Sequence, residues 1–136
     1  MADAKTEEVE RWMTKAHHDL DAAEYLLRRN PPLADVSVYH CQQAAEKALK
    51  AYLVAMDTPF AKTHDLTELV ATAEFLDPVF NRLAEAAAIL TPYATAFRYP
   101  TGQPDPSPAE ARQAFAMVHM LVDFVANQLP HQMERK

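Results

Sequence analysis

The chain has 136 residues, a net charge of −6, one glycine, ten prolines and one cysteine. A single domain of this length buries a core without disulfide or metal staples. Gly102 alone cannot furnish a GxGxxG fingerprint or a P-loop, and it leaves little material for hairpin turns. Cys41 has no intrachain partner, so no disulfide is expected and no cysteine zinc site. It reads best as a small buried thiol.

The opening MADAKTEEVE is polar and acidic, unlike a signal peptide, and no apolar run approaches a membrane span of about 20 residues. The expected location is cytoplasmic. The acidic balance argues against a strongly basic nucleic-acid surface while leaving room for a local basic patch.

Helical periodicity covers most of the chain. Val9, Trp12, Met13, Ala16, Leu20, Ala23 and Leu27 predict a first helix over about Thr6 to Arg29. Acidic residues sit near its start and Arg28 and Arg29 near its end, as the helix dipole favours. Asn30-Pro31-Pro32 stops it. A second helix is expected from about Leu33 to Met56, closed by Asp57-Thr58-Pro59. A third follows an Asp65 N-cap, with Glu68 three residues on, and stops near Asp77-Pro78. A fourth is expected over Val79 to about Phe97, kinked or broken near Ile89 because Pro92 removes a donor. After a proline-rich loop over Tyr99 to Pro108, Ser107 caps a last helix reaching about Leu129, with Pro108 in its first position. The tail to Lys136 is expected to fray. No repeat and no linker interrupts the chain. The expected fold is all-α, an antiparallel up-and-down bundle of four to five helices, one domain over 1–136 with its core over about 6–129.

On a wheel of about 100° per residue, the second helix sorts into three faces. Ala45, Leu49, Tyr52, Leu53 and Met56 form a large apolar stripe. Ala44, Ala48, Ala51 and Ala55 form a small-residue stripe that admits a close neighbour. His40, Gln43, Glu46, Lys47 and Lys50 form a polar one. Packing on two sides makes this helix central. Its polar stripe lies either along a groove or subunit seam, or in open solvent with a Glu46–Lys50 pair.

The string CQQAAEKALKAYLVA, then THDLTEL, then FRYP, preceded by WMTKAHHDLDAAEYLL, resembles the HEPN family, a nucleotide-binding domain shared by higher eukaryotes and prokaryotes. The likeness runs from about Val9 to Leu129. It implies a helical bundle that pairs into a homodimer, associates with nucleotide or RNA, and partners a minimal nucleotidyltransferase in a toxin–antitoxin-like arrangement. No cofactor is expected. The positions it singles out are Lys47, Lys50, His64, Arg98 and Tyr99. Lysines three apart suit phosphate oxygens, and Arg98 suits a phosphate or carboxylate fork. His64 either meets a ligand or caps and packs at its turn. Arg98 either serves a site or pairs with Glu46 inside the bundle.

Catalytic members of the wider superfamily carry Arg and His four to six residues apart, a pair that polarises a phosphate and moves a proton. Arg98 has no such histidine. Arg11 with His17 or His18, and Arg112 with His119, meet the spacing, which chance alone supplies about once in a chain of this make-up. Arg112 and His119 lie about 10 Å apart along one helix face, too far to share a phosphate unaided. His119 is expected at the core edge. His17-His18 and His40-Cys41 point apart on a helix and make poor chelates, so no metal site is expected. Three readings follow: a non-catalytic module that binds nucleotide or a nucleotidyltransferase, a metal-independent ribonuclease toxin, or a dimerisation scaffold.

Overall fold

The computed structural model describes residues 3–130, so the expected fraying of the tail beyond them lies outside the described residues. Five α-helices run in the order α1 (Ala4–Arg28), α2 (Ala34–Ala55), α3 (Leu66–Leu76), α4 (Ala84–Leu90) and α5 (Pro108–Gln128), with no strand among the described residues. None of these helices is long and apolar enough to cross a membrane.

The helix starts follow local chemistry. Asp3, Asp65 and Ser107 each accept a backbone N–H of their helix's first turn. The capping box at Ser107 is made on one side only. The Glu110 carboxylate turns away and accepts from the Tyr93 hydroxyl at 2.6 Å, tying the segment after α4 to α5. Burial and this contact with Glu110 push the Tyr93 phenol up. The end of α2 needs a left-handed residue in a chain almost without glycine, and Asp57 takes it at φ +54°. The Asp57 N–H donates to Val54 O and the Thr58 N–H to Leu53 O, which satisfies the last turn.

The expected fourth helix is shorter than its sequence pattern. Only Ala84–Leu90 is α-helical, and tighter 3₁₀ turns flank it over Pro78–Leu83 and Thr91–Ala94. Pro78 and Pro92 each fall in the first two positions of one of these turns, where a missing N–H costs nothing. Thr91 ends α4 by donating to Ala87 O and accepting from Leu66 N. The end of α4 is thereby stitched to the start of α3.

α2 is the central element, packed against α1, α3, α4 and α5. Ala44, Ala48 and Ala51 are wholly buried, as are Ala45, Leu49 and Leu53. α1 runs antiparallel to α2: Lys5 meets Asp57 at one end, and Ser37 Oγ donates to Ala23 O at the other. Tyr52 packs at a tilt against Phe80, which meets Phe124 of α5 edge-on. Cys41 is buried in this core, and burial pushes its thiol up to about 12.

Candidate functional site

The polar stripe of α2 resolves into two clusters, and a third lies beside it at Tyr39. The first centres on Glu46, whose carboxylate is buried against α1 and the loop before α3. Lys50 Nζ donates to Glu46 Oε2 at 2.8 Å, and His64 Nδ1 to Glu46 Oε1 at 2.8 Å. The amide groups of Gln42 and Gln43 complete the set at 3.3 and 3.4 Å. Gln42 also donates to the His64 carbonyl at 2.8 Å, fixing the turn that carries the imidazole. The Lys50 ammonium sits 5.9 Å from the Trp12 ring centre and 5.5 Å from that of Phe60. Burial alone would raise the Glu46 carboxyl, yet the hydrogen bonds from Lys50 and His64 hold it below the usual range.

The second cluster centres on Asp19 of α1. Lys47 Nζ donates to its Oδ2 at 2.6 Å and His40 Nδ1 to its Oδ1 at 2.8 Å. Burial again opposes ionisation, and the bonds from His40 and Lys47 outweigh it, so this carboxyl too is lowered. The third cluster holds Arg98 and Tyr99, placed by the loop after α4. The Arg98 guanidinium lies 4.7 Å from the Tyr39 ring centre and 5.8 Å from that of Tyr99. A cleft of about 260 Å³ opens beside it, lined by Asp35, Val36, Tyr39, Phe97 and Arg98. The Tyr39 and His40 rings meet edge-on at 5.4 Å and join the second cluster to the third.

Three alternatives left open by the sequence are narrowed here. Glu46 and Lys50 do pair, but inside the bundle, with side chains only 7 % and 9 % exposed, rather than in open solvent. Arg98 does not pair with Glu46, because Lys50 and His64 already occupy that carboxylate. Among the described residues no carboxylate lies within ion-pair distance of Arg98. His64 is not the cap of α3; Asp65 is. Lys47 and Lys50 therefore serve different carboxylates, and the five sequence-selected residues divide two, one and two among the clusters.

The Arg/His pairs selected by spacing lie elsewhere. Arg11 borders shallow clefts along α1, one of them shared with Trp12 and both with Lys15. His17 and His18 are exposed, as is Arg112 on α5. His119 was expected at the core edge; its side chain is half exposed, 3.4 Å from Asp123 and 5.9 Å from the Phe115 ring centre. Sequence reasoning missed Asp19, Gln42 and Tyr39. Asp19 stands in the Asp-Leu step of the α1 pattern, and that was the available signal. Tyr39 had none.

An all-helical bundle with a central helix, a buried ion-pair ladder along it and a cationic aromatic corner at one end defines one class of small helical domain. The chain belongs to the HEPN family: the HEPN domain profile matches residues 9–129. Membership makes it a nucleotide-related or ribonuclease-type module. Among solved structures it is similar to TT1696 from Thermus thermophilus, at 30 % identity and a TM-score of 0.76, covering 90 % of this chain and 98 % of that one. It also shares its fold with ST0689, an archaeal HEPN homologue, at 21 % identity and a TM-score of 0.73, with the same coverage. A search of curated proteins finds no match.

Proposed function

We propose that the chain is a non-catalytic HEPN module, paired as a homodimer, whose α2 face holds a nucleotide or docks a minimal nucleotidyltransferase in a toxin–antitoxin-like pair. The observation that supports this reading is the state of Arg98. Its guanidinium stacks on Tyr39 beside an open cleft and has no carboxylate partner among the described residues. A cation held in place by aromatic faces and engaged in no ion pair, in a cleft that Asp35 also lines, is suited to a phosphate or a partner's carboxylate. Tyr99 stands beside Arg98, Lys47 meets Asp19 in the neighbouring cluster, and His64 reaches α2 farther along, at Glu46, from the loop before α3. Lys50 contributes through Glu46 rather than by direct contact.

The experiment is a thermal-shift titration with ATP, GTP and short RNA, repeated on Lys47→Ala and Arg98→Ala. A ligand at 100 times its dissociation constant adds about 2.7 kcal/mol of apparent stability. Loss of that shift in both variants supports a nucleotide site. If the variants keep both nucleotide affinity and affinity for a co-expressed nucleotidyltransferase, the reading fails. A stable dimer with no ligand and no partner returns the scaffold reading.

A second reading, a metal-independent ribonuclease, is favoured by one feature: the carboxylate-anchored imidazole of His64, which is a form suited to proton transfer. It expects RNA cleavage in EDTA that Arg98→Ala or His64→Ala abolishes. Intact RNA after prolonged incubation with pure protein removes it.

A further inference from the structure

The Glu46 cluster is costly to build, and its geometry has one product. Two ionised side chains are taken out of water, a step that rarely favours folding by itself. Two amides complete their coordination, and no buried side-chain donor or acceptor is left unmatched among the described residues. The one group this network exposes is the His64 ring, whose side chain is 67 % accessible while the carboxylate behind it is 7 % accessible. An ionised carboxylate can only accept, so the 2.8 Å contact requires a proton on Nδ1. The proton fixes the tautomer: in the neutral ring Nε2 keeps its lone pair. Gln42 fixes the orientation by holding the His64 carbonyl, and Asp65, the next residue, is committed to capping α3.

We infer that His64 is a ligand-contacting residue through Nε2, and that Glu46, backed by Lys50 and Gln42, is its positioning residue. This rests on the nucleotide reading above and deepens it. In its neutral form, with Nδ1 committed, the ring offers only an acceptor at Nε2, and in that form it meets a neutral donor on the nucleotide rather than a phosphate oxygen. The nucleotide donors are ribose hydroxyls and exocyclic base amines. Phosphate recognition is left to the Arg98 end of the face, where the guanidinium makes no ion pair among the described residues and shares its cleft with Asp35.

The test is nitrogen-15 NMR of the His64 ring in the wild-type protein at about pH 8.5, two units above the usual imidazole range. The probes are ATP, 2′,3′-dideoxy-ATP and purine riboside triphosphate, which lacks the 6-amino group. The expected free state has a protonated Nδ1 and a bare Nε2. ATP shifts the Nε2 resonance and leaves Nδ1 protonated. One of the two analogues fails to shift it and binds about three- to tenfold more weakly, the worth of one neutral hydrogen bond. Failure of the dideoxy analogue assigns the ribose, and failure of the purine riboside assigns the amine. In Glu46→Gln the Nδ1–H tautomer is no longer enforced and the analogue no longer differs from ATP. A free ring with its proton on Nε2, or equal Nε2 shifts from all three probes, overturns the inference using wild-type protein alone. ATP that shifts Arg98 signals but not Nε2 overturns it while sparing the nucleotide reading. ATP that shifts neither removes that reading itself.

Discussion

Around Glu46 the charges on α2 find their counter-charges within the chain, whereas around Tyr39, two helical turns away, Arg98 rests on aromatic faces and makes no ion pair among the described residues. Both regions lie on one face of one helix, and both draw on loops that follow it in sequence. They differ in depth. Glu46 and Lys50 sit under Trp12 and Phe60, where an unpaired charge would be prohibitive. Arg98 sits at the rim, where water screens it and a missing partner costs little. Deep charges on this helix must be answered internally, and only the rim can leave one free for a visitor.

The strongest way to break this comparison is to remove the answer at the deep end. Lys50→Met leaves Glu46 buried without its cation and is expected to cost about 3–5 kcal/mol, read by urea denaturation. The double variant Lys50→Met with Glu46→Leu is expected to recover most of that loss, because an apolar pair of similar volume needs no compensation. Equal destabilisation of the single and double variants would show that packing, not charge, holds this region.

Acid sharpens the same contrast. The Glu46 and Asp19 carboxyls lie below their ordinary values of 4.5 and 3.8 in the folded protein. Below those values the unfolded chain binds more protons than the folded one, so stability rises with pH. The contribution is complete above pH 4.5 and is lost as pH falls through the lower folded values. Thermal midpoints measured from neutral pH down to about pH 3 are expected to fall more steeply for the wild type than for Glu46→Gln or Asp19→Asn. Parallel slopes would disconnect the two clusters from acid unfolding.

Ser107→Ala lies outside both ends of the face and calibrates them. It removes one cap bond to Glu110 N and is expected to cost about 1 kcal/mol while leaving ligand titrations unchanged. The smallest expected stability effect belongs to Arg98→Ala, about 0.5–1 kcal/mol from the lost stacking on Tyr39. A much larger loss in chemical denaturation would mean that Arg98 is a structural strut, and the contrast between the two ends would collapse.

Part of the site is legible in the amino-acid order alone. The polar stripe of α2 can be read there because its period is set within the helix, and Glu46–Lys50 is an i,i+4 contact. What the wheel cannot give is depth. It places Glu46 and Lys50 on a polar face, and only the approach of Trp12 and Phe60 turns that face into an interior. Asp19 answers Lys47 from 28 residues away, and His64 answers Glu46 from 18, separations over which no local rule operates.

The sequence by itself determined the helical class, the family and most helix ends. Those features depend on interactions within a turn or two: side-chain caps at Asp65 and Ser107, prolines that cannot donate, and apolar periods of three and four. It also located α2 at the centre, since a helix with apolar and small faces must be covered on both. The tertiary structure alone decided which carboxylate each cation meets, that the fourth helix shrinks to Ala84–Leu90, and that Arg98 rests on Tyr39. Those outcomes depend on how helices distant in sequence pack together, and partner choice in a buried network is settled only once that packing has fixed every distance.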